Sequence, residues 1–515
     1  YNNYETPQVI ENGNLDPTAG IIETLSLTDG LVSQQLALKK YHRSLLESGE
    51  YWRESMTRFN AQNRVDATLI SNLRIMRRTL INQISKRCDK SKEIITGVVH
   101  ALLSRSIFIK YLEERKDSNG ETVFPQDFYC NFMESAKRYT DVLNSKEATY
   151  NLFRILKDKF NGDTLQVSEI ETEIITQDDL DELRTFILGD SELESRQLTL
   201  WPIYSFDIIP IQLISSIYEL FFHLSDEEDE KGTYYTPLHL VNLVMDEVYP
   251  WEGKYKDISF FDPSCGSGIF LVEAYRRLVC RWMSQNAVQA ITCDQLNLLL
   301  KNSIFGVDIN EEAIRVASFS LSLAMCDFLD PRSIWDKLSF PPLLGKNLIS
   351  SDFFDEDKSF NKERYDVIVG NPPWQSNITE KTKEYLKKVN RVIGDKQIAQ
   401  AFSIKCSELC KQNGIICLLM PSKGLLFNRS DKSRMYRANL FSDNNVLAIV
   451  NLSVYRKFLF DHASGPAAAI IYTPKREELK QPIIYCTPKP IYTIEDTRKF
   501  SIDPTDICRI PHDII

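Results

Sequence analysis

FFDPSCGSGIFLVEAYRR, from Phe260 to Arg277, is the stretch whose pattern decides the fold. Its first residues are apolar and end at Asp262, as a short buried strand does. A glycine-rich turn follows, and a helical spacing of apolar residues begins near Ile269. In open α/β sheets ligands bind beyond the carboxyl ends of the strands, above such turns. Gly266 and Gly268 let the backbone bend sharply and come close to a ligand, which a Cβ would block. The amides opening the helix suit the carboxylate of an amino-acid ligand. A lone glycine turn is a weak signal, whereas the whole D-P-x-C-G-S-G string is far more specific.

The same texture extends outward. ISFFD, SIFGVD, YDVIVG, GIICLLMP and VLAIVNL are strand candidates, separated by helical stretches such as EAIRVASFSLSLAM. Such alternation predicts a mostly parallel sheet covered by helices on both faces. Before it, TLISNLRIMRRTLINQISKR and EIITGVVHALLSRSIFIKYLEER space apolar residues three and four apart, as amphipathic helices do. A further helical stretch runs to Leu188, and one more is expected over Ile208 to Leu224. At 515 residues the chain exceeds one core. The expected organisation is a tail over 1–30, a helical domain over 31–205, an α/β domain over 206–475 and an extension over 476–515.

Two further motifs carry chemistry. SIFGVDINEEAIRVA, from Ser303, places Asp308 at the end of the next strand, where an acid accepts hydrogen bonds from ribose hydroxyls. Asn310, followed by Glu311 and Glu312, also has the pattern of a helix cap, and both roles are compatible. Asp262 and Asp308 lie 46 residues apart, well beyond the roughly 20 of a compact dinucleotide unit, which disfavours a nicotinamide cofactor. YDVIVGNPPWQ, from Tyr365, puts Asn-Pro-Pro-Trp directly after a buried strand. Pro372 and Pro373 restrict the backbone, so the Asn371 side-chain oxygen and the Pro372 carbonyl become a fixed pair of acceptors for an exocyclic amine. Trp374 adds a flat face for a base to stack on.

With these motifs the chain resembles the amino-type DNA methyltransferases of the γ order, over about Pro210 to Pro474. The closest likeness is to modification subunits of type I restriction systems and the methylase portions of type IIG enzymes. The family order is G-x-Y-Y-T-P, D-P-x-C-G-S-G, an acid after the second strand, and N-P-P-aromatic. Here it appears as GTYYTP from Gly232, then DPSCGSG, Asp308 and NPPW. The resemblance implies a seven-stranded Rossmann-like sheet holding S-adenosylmethionine, and methyl transfer to N6 of a flipped adenine. It implies cofactor contacts for Tyr235, Thr236, Pro237, Asp262, Pro263, Gly266, Gly268, Asp308, Ile309, Asp352 and Phe353. Asn371, Pro372, Pro373 and Trp374 would be catalytic, with Trp374 stacking on the base. Phe460, favoured over Phe458, would cover its second face. LLSRSIFIKYLEER and IPIQLISSIYELF are similar to the connector before the catalytic domain in those enzymes. The expected partner is double-stranded DNA, with a specificity subunit, or a target-recognition and nuclease region, outside residues 1–515.

Composition narrows the setting. The net charge of −10 argues weakly against nucleic acid, but charge segregates along the chain. Residues 35–116 hold 17 Lys and Arg against 8 Asp and Glu, and SKGLLFNRSDKSRMYR (Ser422–Arg437) is a second basic cluster. Acid gathers in VSEIETEIITQDDLDEL and SDEEDEKG. The eleven cysteines form no C-x-x-C pair and suggest reduced thiols in the cytoplasm, with no metal site. No signal peptide or membrane span is expected, and the start at Tyr1 suggests a piece of something longer. No acid–strand–acid nuclease pattern precedes Gly232. The rival readings are methylation of protein glutamine N5 or of an RNA base, and an idle DNA-binding scaffold.

Overall fold

The computed structural model describes residues 65–117, 120–161, 165–189, 236–456, 459, 465–475, 482–490 and 500–511. Two compact units separate, one built from 1–114, 129–148 and 173–209, the other from 115–128, 149–172 and 210–515. The predicted helix over Ile208 to Leu224 lies outside the described residues.

In the first unit the three- and four-residue spacing forms helices α1 (Val65–Arg87) and α2 (Lys92–Glu114), joined by α3 (Gln177–Leu188). Leu69, Leu73, Met76, Leu80 and Ile84 make one buried stripe on α1, and Val99, Leu102 and Leu103 bury the facing side of α2. Thr176 and Asp179 form a capping box that starts α3, and Gly189 ends it in the left-handed conformation at φ 61°. Asp179 is fully buried and pairs with Arg87. Among the described residues only α2 is long and apolar enough to cross a membrane. Its apolar side is core, and its middle buries Arg105 and His100, whose ring accepts from Arg77 Nε at 2.9 Å.

The second unit is a nine-stranded sheet with strands β1 (Phe260–Asp262), β2 (Ile304–Asp308), β3 (Leu348–Ser350), β4 (Tyr365–Gly370), β5 (Cys410–Pro421), β6 (Asn444–Asn451), β7 (Ala467–Pro474), β8 (Ile483–Cys486) and β9 (Ile507–Ile510). Their spatial order is β9-β8-β6-β7-β5-β4-β1-β2-β3. β3, β2, β1, β4 and β5 run parallel, and β7 lies antiparallel between β5 and β6. Among the described residues the sheet has nine strands rather than the expected seven, with β8 and β9 of the C-terminal extension outermost at the β6 edge. β8 pairs parallel with β6, and β9 antiparallel with β8. Their pairing extends an edge that would otherwise leave backbone groups of β6 unpaired.

Successive residues of β1 face opposite ways, and both faces are buried. Phe260 packs edge-on against Tyr249 at 5.0 Å, just beyond α4 (Leu238–Val248). Phe261 stacks on Tyr365 at 4.3 Å, in a core that includes Phe353 and Phe402 of helix α9 (Ile398–Leu409). Two more helices follow the motif turns: α5 (Ile269–Gln285) after β1 and α7 (Glu311–Cys326) after β2, with α6 (Cys293–Ser303) leading into β2. Helix α8 (Glu380–Lys388) lies between β4 and α9 in the chain. The eleven cysteines are all free, and seven are buried.

Candidate active site at the carboxyl edge of the sheet

The site is built where β1, β2, β3 and β4 end. The chain leaves β1 at Asp262, which is 1% exposed and whose Oδ1 accepts from Ser264 N at 3.0 Å. Gly266 and Gly268 take φ 51° and 84°, the left-handed region that a Cβ disfavours. A Cβ on Gly268 would also lie 3.0 Å from the Ala317 side chain, so α5 and α7 need glycine there to pack closely. The predicted start at Ile269 is where α5 begins.

At the end of β2, Asp308 does two things. Its Oδ2 accepts from Gly266 N at 3.0 Å and its Oδ1 from Asn310 N at 2.9 Å, so it ties the glycine turn to the neighbouring strand. Burial pushes its carboxyl above the usual range, against the opposing pull of the Asn310, Gly266 and Ile309 amides. Asn310 accepts from Glu312 N at 3.0 Å and caps α7, as its residue type suggested. Ile309 beside it is 70% exposed, an apolar side chain left uncovered on the cavity wall.

The third turn presses against the first. A Cβ on Gly370 would stand 2.6 Å from Asp262 Oδ1, so the backbone entering Asn-Pro-Pro-Trp passes directly over that carboxylate. Asn371 Nδ2 donates to Thr236 Oγ1 at 3.1 Å, while Asn371 Oδ1 is buried and has no hydrogen-bond partner among the described residues. A buried carbonyl oxygen without a donor is unfavourable by about 1–3 kcal/mol, so this oxygen is held ready for one. Trp374 Nε1 donates to Leu419 O at 3.4 Å, and Gly465 lies so near that a Cβ would sit 3.5 Å from the indole.

After β3, Asp352 Oδ1 accepts from Phe354 N and Oδ2 from the Thr379 hydroxyl, both at 2.8 Å. Phe353 stacks on Phe402 at 4.7 Å. Its carbonyl receives Lys405 Nζ at 2.5 Å. Lys405 is 2% exposed, and burial among aromatic rings pulls its ammonium down to about 8.

These elements enclose a cavity of about 350 Å³, within the range of small-molecule sites. It gathers Thr236, Asp262, Pro263, Gly266, Asp308, Ile309, Asp352, Phe353 and the whole Asn371–Trp374 turn. Pro237 and Gly268 do not line it: they stand at the caps of α4 and α5. Tyr235, Phe458 and Phe460 lie outside the described residues. Sequence reasoning missed the loop after Trp374, whose Gln375, Asn377, Ile378 and Thr379 also line the wall, as do Phe270 and Phe402. The only cue for the loop was its position immediately after the motif.

Three carboxylates thus stand at successive strand ends, where they accept from backbone amides and, at Asp352, a hydroxyl, and apolar side chains stand beside them. A turn with one buried amide oxygen unpartnered among the described residues, that of Asn371, stands next to the Trp374 indole. Residues 302–458 match the family described as Eco57I restriction-modification methylase. One relative is the type II restriction enzyme and methyltransferase RM.Eco57I of Escherichia coli, 23% identical over 50% of this chain and 32% of that enzyme. Another is the adenine-specific methyltransferase PglX of Streptomyces coelicolor, 32% identical over 26% of this chain and 13% of that protein. The type IIL restriction-modification enzyme MmeI, solved in complex with DNA, shares the fold at a TM-score of 0.54, with 15% identity over 84% of this chain and 60% of that one. The relatives are restriction-modification DNA methyltransferases, and this chain's matches span about a third to a half of the lengths of the first three.

Proposed function

We propose that this chain transfers the methyl group of S-adenosylmethionine to N6 of an adenine swung out of double-stranded DNA. It would serve as the modification activity of a cytoplasmic restriction-modification or phage-defence system. The observation that carries this reading is the Asn371 amide, fixed through Nδ2 on Thr236 and left with an unsatisfied, buried Oδ1. A neutral carbonyl oxygen in that state accepts an N–H or O–H donor, and two acceptors side by side suit an –NH₂ group.

The cavity fits the cofactor by its chemistry. Asp308 would receive ribose hydroxyls, and the uncovered Ile309 would lie against the adenine together with Phe353 and Asp352. Asp262 and the Gly266 turn would border the methionine end, with Thr236. When bound, the cofactor supplies an electrophilic methyl on a sulfonium. The protein's own part is positioning. Trp374 stacks on the extruded base, while Asn371 Oδ1 and the Pro372 carbonyl accept the two N6 hydrogens and turn the nitrogen lone pair toward the methyl. Among the described residues the lining offers no strong base and the step needs none, because the proton passes from N6 to water during or after transfer.

The reading is tested by incubating the chain with tritiated S-adenosylmethionine and mixed-sequence duplex DNA, beside Asn371→Ala, and digesting the DNA to nucleosides. Labelled N6-methyladenine from the parent and none from the variant is the expected result. Cofactor binding without transfer would move the reading to another substrate or to a required specificity partner. Failure to bind the cofactor would sink it.

A further inference from the structure

The basic cluster Ser422–Arg437 has no part in the chemistry above, yet it leaves β5 at Pro421, on the same edge of the sheet as the cavity. Lys423–Phe427 forms one π turn, a local irregularity that recurs at functional sites, and helix α10 (Asp431–Asp443) follows, capped by Ser430. The inner side of this segment is anchored to the Trp374 loop. A Cβ on Gly424 would stand 2.8 Å from Gln400 Nε2 and 3.8 Å from Gln397 Cγ. Gln397 reaches Ser376 Oγ at 3.3 Å, two residues beyond Trp374, and Ile398 N donates to Gln375 O at 3.1 Å. Asn428 holds the turn from the other end through Asp395, at 2.5 Å.

The outer side is different. Lys423, Arg429, Lys432 and Arg434 are exposed, and none makes an ion pair within the described residues. Several other exposed cations of this unit are matched: Lys381 by Asp355, Lys388 by Glu356, Arg391 by Asp443, Lys411 by Asp366 and Arg315 by Glu311. A chain with net charge −10 has acids to spare, so four exposed cations without an ion pair in one short segment suit an anion from outside. They are spread along a turn and a helix rather than converging on one point, which suits a repeating anion rather than a single small ion. Phe427 stands 53% exposed between Lys423 and Arg429 in the chain, an apolar ring of the kind that enters or abuts a base stack.

We propose that Lys423, Arg429, Lys432 and Arg434 dock phosphates of duplex DNA beside the flipped nucleotide, with Phe427 against the exposed stack. This rests on the methyl-transfer reading for the identity of the nucleic acid. Its own evidence is the unpaired charge and its attachment to the Trp374 loop.

The test measures binding of the full chain to a fluorescent mixed-sequence duplex by anisotropy across a salt series, with cofactor binding followed calorimetrically. A variant with all four cations changed to alanine is compared with the parent, and with Lys301→Ala/Lys346→Ala as a control that removes charge at the opposite sheet edge. Each lost phosphate contact lowers the log–log salt slope by about 0.9, so the fourfold variant should lose about 3 to 4 and weaken by up to about 10³-fold at 0.1 M salt. Its cofactor affinity should match the parent's, which also reports an intact fold. The control should change the slope by less than about 1. An unchanged slope in the fourfold variant, or an equal loss in the control, overturns the surface. A parent that takes up cofactor but binds no duplex overturns both the surface and the DNA half of the proposed function. A parent that binds duplex through this surface without methylating it supports the docking and sinks the transfer.

Discussion

The α/β unit has a cavity at each end of its parallel strands, and size does not decide which is the better candidate for chemistry. The amino-edge cavity holds about 500 Å³, against about 350 Å³ at the carboxyl edge. At the amino edge the main polar groups are already engaged. Asp366 Oδ2 takes Ser259 N at 2.8 Å, the Ser259 hydroxyl at 2.9 Å and Lys411 Nζ at 2.7 Å. Asn347 Nδ2 satisfies the Lys301 and Ile304 carbonyls at 2.8 Å each. At the carboxyl edge Asn371 Oδ1 is buried without a donor, and Ile309 is uncovered. Volume marks where a molecule fits, whereas unmet hydrogen-bonding capacity and bare apolar surface mark where one is recognised.

The heaviest blow to that contrast is Asn371→Ala. It removes one of two amine acceptors, and kcat for methyl transfer should fall on the order of 10²–10³-fold or more, by analogy with loss of one preorganised polar group from a transition-state site. Cofactor affinity should hold within a few-fold. Equal activity in the variant would end the claim that the orphaned oxygen orients the substrate. Thr236→Val comes next. Without its hydroxyl the Asn371 amide is free to turn and present Nδ2 to the substrate, so kcat should fall on the order of tenfold, about 1.4 kcal/mol, a typical value for one hydrogen bond. Thr236→Ser should restore most of it. A loss confined to cofactor KM, with no rescue by serine, would make Thr236 only part of the pocket wall.

Much of this edge was legible because its residues obey one rule, that ligand groups stand where parallel strands end. Asp262, Asp308 and Asn371 each close an apolar run, and the cavity gathers all three. β3 and β7 were not among the strand candidates for reasons of composition. Leu348–Ser350 is too short for a period, and β7 opens on Ala467–Ala469, a residue type depleted in strands. The seven-strand expectation fell short because β8 and β9 pair over separations that no local pattern encodes. The Thr236–Asn371 bond was invisible for the same reason, since 135 residues separate its ends. The loop after Trp374 is held at the cavity by contacts of tertiary origin, Ile398 N to Gln375 O and the Thr379 hydroxyl to Asp352.

Two lysines sharpen the comparison further. Lys405, behind the carboxyl-edge pocket, has Phe353, Phe360, Phe354 and Tyr385 within 4.9 to 5.6 Å and donates to Phe353 O. Burial lowers its folded value to about 8, against the opposing pull of Glu356, Glu408 and Asp352. The unfolded chain holds that proton more tightly, near 10.4, so the charged form penalises the fold. The penalty is full below pH 8 and fades as pH rises from 8 to about 10.4. Urea unfolding of the parent relative to Lys405→Met should therefore shift in the parent's favour across that window, by on the order of 3 kcal/mol. A pH-independent difference would show that Lys405 titrates normally in the folded chain.

Lys411, at the amino edge, is the opposite case, half exposed and paired with Asp366. Burial tends to raise the Asp366 carboxyl, but Lys411 and the Ser259 donors outweigh it and hold it below the usual carboxylate range. A depressed folded value stabilises the protein above the unfolded value of about 3.9, and the contribution disappears as pH falls through the folded one. Lys411→Met should thus cost only about 0.5–1 kcal/mol at pH 7, the scale of a solvent-screened ion pair. The difference from the parent should shrink as pH is brought from 7 to the acid side of about 3.9, and methyl transfer should be unchanged. Urea midpoints at the two pH values, with a transfer assay beside them, check all three. A variant that folds as well as the parent but transfers tenfold more slowly would mean that the amino edge takes part in the reaction, and that a closed hydrogen-bond network does not mark an idle cavity.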